Sequence, residues 1–150
     1  MINQVDAHEI RYLEAKDMDG YLRLLSQLTE VGQCPPSTVL STLTYLRSHP
    51  DIYHLLVLVD RSSQAVLGAT TLFIEKKFIH CCASVGHIED VVVSKDVRGT
   101  GLGKKLIEVA IKIAAESGCY KTILDCDEKT VAFYEKCDLK RKGVQMAKYF

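Results

Sequence analysis

The chain has 150 residues, 47% of them hydrophobic and 25% charged, and its 19 Lys+Arg balance 19 Asp+Glu. That length and composition predict one soluble domain, residues 1–150, able to bury its own core. A formally neutral chain lacks the basic excess of a nucleic-acid binder and any general pull toward acidic membranes. Neither partner is expected, and any bound anion must be held by local geometry.

The opening MINQVDAHEI has no basic region followed by an apolar stretch, so no secretory signal is expected. The longest purely apolar run, residues 55–59, is too short to span a bilayer. A first strand is predicted at residues 10–13, weakly alternating. Asp17 offers an N-cap to a helix carrying Tyr21, Leu24, Leu25 and Leu28, which Gly32 and Pro35-Pro36 break. Ser37 can cap a second helix with Val39, Leu40, Leu43 and Leu46, closed by Pro50. Two β-branched and aliphatic runs, Tyr53–Asp60 and Val66–Lys76, flank Arg61-Ser62-Ser63-Gln64 as a hairpin would. A third strand is expected over 85–94, then a helix with Leu106, Ile107, Ala110, Ile111, Ile113 and Ala114 ending at Gly118. A short strand at 122–124, a short helix at 128–136 and a final strand at 143–150 complete the reading. The class is α/β or α+β around a mixed sheet.

Cys34, Cys81, Cys82, Cys119, Cys126 and Cys137 contain no C-x-x-C pair, so no zinc or other metal site is expected. They read as reduced thiols of a cytoplasmic protein, with an organelle address as the open alternative and the vicinal Cys81-Cys82 serving packing.

The most informative segment is Val91-Val92-Val93, a polar turn, and Arg98-Gly99-Thr100-Gly101-Leu102-Gly103 opening a helix. Alternate glycines let the backbone approach a ligand, and successive N–H groups at a helix start form an anion site. Lys104 and Lys105 oppose the helix dipole unless an anion sits there. A P-loop would need Gly and Ser/Thr where Arg98 and Lys105 stand, and the dinucleotide fingerprint would need Gly at Lys104. What remains, Arg-x-x-Gly-x-Gly between strand and helix, resembles the pyrophosphate loop of the GNAT superfamily of acetyl-CoA-dependent N-acetyltransferases. Further runs resemble one of its families, the glucosamine-6-phosphate N-acetyltransferases: Gly86-His87-Ile88-Glu89-Asp90-Val91, Gly118-Cys119-Tyr120-Lys121, Leu124-Asp125-Cys126-Asp127-Glu128-Lys129 and Phe133-Tyr134-Glu135-Lys136-Cys137.

The resemblance implies a GNAT fold, with a mixed, mostly antiparallel sheet flanked by helices on both faces. It implies transfer of acetyl from acetyl-CoA to the 2-amino group of glucosamine 6-phosphate, a step toward UDP-N-acetylglucosamine, in a homodimer with shared active sites. Val91, Val92, Val93, Arg98, Gly99, Thr100, Gly101, Leu102, Gly103 and Lys104, with Asp125 and Tyr134, would hold acetyl-CoA. Thr29, Lys77, Phe78, Ile79, His80, Glu89, Asp90, Val91, Tyr120 and Lys121 would hold the sugar phosphate, with Tyr120 and Lys121 serving the neighbouring subunit. Glu89, Asp90 and Asp125 would orient the amine, and a main-chain amide of the 90–91 stretch would polarise the carbonyl. Tyr134 would protonate the thiolate.

Strand geometry adds that Glu89 and Asp90 must point to opposite faces unless a bulge intervenes, leaving one against an apolar layer. His87 reads as a hydrogen-bonded structural residue. Four positions depart from the family pattern: Thr130 where Asn is common, Asp138-Leu139 where Gly-Phe is usual, and Tyr149 where a basic residue is expected, with Lys148 adjacent. An N-acetyltransferase for another amine, such as a polyamine or a protein N-terminus, and a catalytically silent acetyl-CoA-binding module remain open alternatives.

Overall fold

The computed structural model describes residues 7–150, so the first six residues of the leader reading lie outside it. Five strands form one sheet in the order β1 (His8–Tyr12), β2 (Tyr53–Asp60), β3 (Val66–Lys76), β4 (Ser84–Val93), β5 (Cys119–Ile123). The first four make an antiparallel meander and β5 joins β4 in parallel. That last pairing needs a crossover, supplied by the long helix Leu102–Glu116. The sheet is thus mixed, with one parallel pair among the described residues.

Two apolar layers cover it. On one face Leu56, Leu72, Ile74 and Ile88 pack against Leu106, Ile107, Ala110 and Ala114 of the crossover helix. On the other, Leu55, Val57, Val59, Ala69 and Val92 meet Leu13, Leu24 and Leu43, the last two from α1 (Met18–Leu25) and α2 (Pro36–Arg47). The crossover helix is α3, and a short helix, Val131–Glu135, is α4. The period-two alternation along β2 and β3 delivers residues to both layers, which is why β2 is buried over six consecutive positions. No helix among the described residues is long and apolar enough to cross a membrane.

Several boundaries differ from the sequence expectation. Asp17 stands at the N-cap of α1 without capping it: its carboxylate takes the Arg11 guanidinium at 2.7 and 2.9 Å and the Glu14 N–H at 2.9 Å. The buried ion pair ties the start of the helix to β1 and outcompetes the local cap. Helix α1 ends at Leu25, leaving Leu28 in the connection. Helix α2 begins at Pro36, whose fixed φ and missing N–H suit a first helical position, so Ser37 lies inside it. The strand expected over 143–150 is absent. No strand edge pairs with that segment among the described residues, and Val144, Met146, Tyr149 and Phe150 lie almost fully exposed.

Gly86 marks the tightest approach between sheet and helix. A Cβ there would come within 2.9 Å of the Ala114 Cβ and 3.2 Å of Leu72 Cδ1. Gly86→Ala is therefore expected to destabilise the fold by about 1–3 kcal/mol, since neither layer has room to yield. Urea unfolding checks this, and an unchanged midpoint would contradict the packing described.

Candidate functional site

The site is built around an irregularity in β4. Ala69 pairs with Val92 and Thr71 with Glu89, so Thr70 alone opposes both Asp90 and Val91. This is a β-bulge, and Asp90 carries it with φ 51°. The buried Thr70 hydroxyl donates to the Glu89 carbonyl at 3.0 Å, pinning the distorted turn from the neighbouring strand. Beyond the bulge the strand's facing is reversed: Ile88 joins the α3 layer, whereas Val92, four residues on, joins the α1–α2 layer. The bulge also relieves the conflict expected between Glu89 and Asp90. Neither carboxylate is pressed into an apolar layer; both are exposed and line the same cleft.

The cleft exists because β4 and β5 part. Their pairing ends at His87 and Ile123, and from Ile88 onward that edge of β4 has no strand beside it among the described residues. The opening, about 720 Å³, is lined on the β4 side by Glu89, Asp90, Val91, Val92, Val93 and Arg98, and on the other by Asp125, Cys126, Asp127, Lys129, Thr130, Phe133 and Tyr134. Immediately after Arg98, Gly99 and Gly101 adopt φ 80° and 83°, a left-handed backbone that other residues resist, and Gly101 is the N-cap of α3. Gly103 in the first turn lies so close to Phe133 that a Cβ would sit 3.3 Å from the ring. The glycines therefore shape the turn into α3 and seat α4 against it. Arg98 Nε donates to the Val93 carbonyl at 3.0 Å, folding the loop back on the strand.

Of the sequence-derived residues, Gly99, Thr100, Gly101, Leu102, Gly103 and Lys104 follow Arg98 into α3 without lining the cleft, Thr29 lies apart, and the others form two groups. Glu89, Asp90, Val91, Val92, Val93, Arg98, Asp125 and Tyr134 are brought together in the cleft. Lys77, Phe78, Ile79, His80, Tyr120 and Lys121 gather instead at the other end of β4. The His80 and Tyr120 rings lie 4.2 Å apart and the Lys121 ammonium sits 5.5 Å from the Tyr120 ring centre. At about 3.3 Å per residue, Ser84 at that end is roughly 17 Å from Glu89. The turn there is left-handed over three non-glycine residues, His80, Cys81 and Cys82, at φ 51°, 57° and 60°. His87 is hydrogen-bonded as expected, its Nε2 lying 2.8 Å from Glu75 Oε2, while Lys77 pairs with the other Glu75 oxygen. Thr29 lies in the exposed connection after α1, next to Leu28, which lines the cleft with Gln27.

Sequence reasoning missed Gln27, Leu28, Cys126, Phe133 and Gln145 as cleft residues. Phe133 could have been found from its place beside Tyr134. Gln27 and Gln145 carry no motif, because chain topology alone brings them there. Gln145 Nε2 donates to Asp125 Oδ2 at 2.8 Å, and Thr130 lines the cleft with its hydroxyl turned to the Asp127 carbonyl at 2.9 Å.

The electrostatics separate the two walls. Partial burial raises the Glu89 carboxyl above the usual carboxylate range, and the charges of Asp125 and Asp90 add to this. Burial pushes the Tyr134 phenol up to about 12, with Cys126 and Cys137 contributing, so it keeps its proton at neutral pH. The arrangement offers backbone N–H groups, a carboxylate set and a neutral phenol around one opening, the set that acyl transfer to an amine requires.

The Acetyltransferase (GNAT) family pattern matches residues 20–139. The chain is 43% identical over 145 residues to glucosamine 6-phosphate N-acetyltransferase 1 of Dictyostelium discoideum, covering 96% of this chain and 92% of that protein. The crystal structure of glucosamine-6-phosphate N-acetyltransferase from Arabidopsis thaliana superposes with a TM-score of 0.92 at 39% identity, covering 97% of this chain and 99% of that one. A Trypanosoma brucei acetyltransferase superposes with a TM-score of 0.87 at 36% identity, covering 95% and 99%.

Because the Asp125 charge helps hold the Glu89 proton, Asp125→Asn removes a repulsion that disfavours the carboxylate. The Glu89 titration midpoint, followed by carboxyl ¹³C NMR, is expected to move to lower pH. A midpoint that stays or rises would show that the two carboxylates do not interact.

Proposed function

This chain belongs to the acetyltransferase (GNAT) family, and from that premise we propose that it transfers the acetyl group of acetyl-CoA to the 2-amino group of D-glucosamine 6-phosphate. The products are N-acetyl-D-glucosamine 6-phosphate and CoA. The observation that carries the reading is the bulge-split β4, whose unpaired edge from Ile88 runs into the Arg98–Gly103 loop opposite Asp125 and Tyr134.

The residues fit acetyl-CoA as co-substrate, which supplies the activated acetyl group as a thioester. The side of β4 at Val91, Val92 and Val93 that faces away from β3 is an edge to which an amide-bearing arm can add as a strand would, although Arg98 takes the Val93 carbonyl. The left-handed turn at Gly99 and Gly101, the α3 N-terminus from Leu102, and Arg98 and Lys104 suit a pyrophosphate. At the bulge, a main-chain N–H of the 90–91 stretch polarises the thioester carbonyl, while Glu89, Asp90 and Asp125 orient the amine and draw off its proton. As the C–N bond forms and the C–S bond breaks, the Tyr134 phenol gives its proton to the departing sulfur.

Sugar-phosphate contacts fall to Thr29 and to the second cluster, Lys77, Phe78, Ile79, His80, Tyr120 and Lys121. The distance of that cluster from its own cleft supports a homodimer in which it completes the partner's site. The exposed Val144, Met146, Tyr149 and Phe150 support the same reading by offering apolar surface to cover.

Thiol release should be followed with acetyl-CoA against glucosamine 6-phosphate, glucosamine, spermidine and a peptide. Turnover is expected chiefly with the phosphate ester. Equal rates with glucosamine would overturn the phosphate specificity, and no turnover with any amine would leave only a binding module. Tyr134→Phe is expected to lower kcat by about 10²–10⁴-fold, the range of a lost general acid, with acetyl-CoA affinity nearly unchanged. A large affinity loss at constant kcat would move Tyr134 from proton transfer to binding.

A further inference from the structure

The connection between α1 and α2 runs for ten residues, 26–35, all of them exposed, yet it forms a wall of the cleft through Gln27 and Leu28. Near its start the hydrogen bonds are local: the N–H groups of Ser26, Gln27, Leu28 and Thr29 return to carbonyls of Leu22, Leu24 and Leu25. One contact reaches across the fold. Gln27 Oε1 accepts from the Lys95 N–H at 3.0 Å. Lys95 is the first residue of the 3₁₀ turn Lys95–Val97, an amide without a partner within its own turn, since the Ser94 hydroxyl takes the Asp96 N–H. That turn leads directly into Arg98 and the glycine loop.

We propose that Gln27 is a positioning residue that fastens the 26–35 wall to the turn preceding the glycine loop, and so sets the amine side of the cleft from the acetyl-CoA side. The geometry gives it that reach. Tyr21 of α1 lies close enough to Asp90 for that charge to act on its phenol, so the helix enters beside the bulge and its continuation runs along β4 to Lys95. Leu28 and Thr29 come immediately after the fastening point. Losing it frees the one polar tie between this wall and the rest of the cleft found among the described residues, and costs amine binding before chemistry. The role in amine binding rests on the acetyl-transfer reading.

The role needs an acceptor oxygen and nothing else, which makes it separable from packing. Gln27→Met keeps the length and loses the acceptor, while Gln27→Glu keeps an acceptor. In the full-length protein, Gln27→Met is expected to raise KM for glucosamine 6-phosphate about three- to tenfold, the scale of one hydrogen bond, with kcat and acetyl-CoA affinity within twofold. Gln27→Glu is expected to restore most of the KM. Amide hydrogen exchange supplies a readout independent of activity: Lys95 and the 26–34 amides should exchange faster in Gln27→Met and recover in Gln27→Glu. Unchanged exchange in Gln27→Met would overturn the fastening, as would equal losses in both variants. Faster exchange with unchanged KM would overturn the positioning role. Should no amine be acetylated, the exchange data still decide the fastening while the acetyl-transfer reading falls by itself.

Discussion

One residue in a left-handed conformation organises the cleft. A non-glycine residue at φ near 50° costs about 1–3 kcal/mol, and Asp is among the side chains that bear it best. The structure holds Asp90 there because Thr70, buried in the adjacent strand, both faces the two-residue bulge and hydrogen-bonds the carbonyl before it. Everything downstream inherits this. Val92 enters the α1–α2 layer, two carboxylates share one opening, and the strand carries its unpaired edge toward the glycine turn.

The parallel pairing of β5 is the complementary constraint. A crossover helix must begin near the end of β4 and return to its beginning, so the start of α3 lies at the mouth of the gap the two strands leave. Four register pairs hold β5, and it then departs, carrying Asp125 and Tyr134 to the far wall. The glycine turn, the strand edge and the opposite wall are one geometric consequence of a short parallel pairing.

Most of the fold was legible. The Tyr53–Asp60 and Val66–Lys76 strands and the long helix after the glycine loop are written in side-chain periodicity, and the loop itself in residues that only a left-handed backbone requires. The bulge was legible as a condition, because adjacent Glu89 and Asp90 in an apolar strand demand either an unpaired buried charge or an irregularity. Other features escaped for physical reasons. Asp17 was read as a cap because the sequence does not show Arg11 folding back to it. The 143–150 alternation resembles a strand, but a strand also needs an edge to pair with, and no local pattern encodes that. Gln27 has no signature because its partner is a backbone amide 68 positions away in the chain.

The Tyr134 phenol, held at about 12 by its surroundings, has a consequence for how the cleft meets its environment. A phenol with that proton affinity stays protonated through any ordinary rise in alkalinity. The carboxylate wall is tuned the other way, with Glu89 shifted toward protonation. These two groups therefore hold their protonation states as pH rises from neutral, while Glu89 takes up its proton earlier than a free carboxylate as pH falls, an asymmetry set by partial desolvation and neighbouring carboxylates rather than by any excess of charge in the chain.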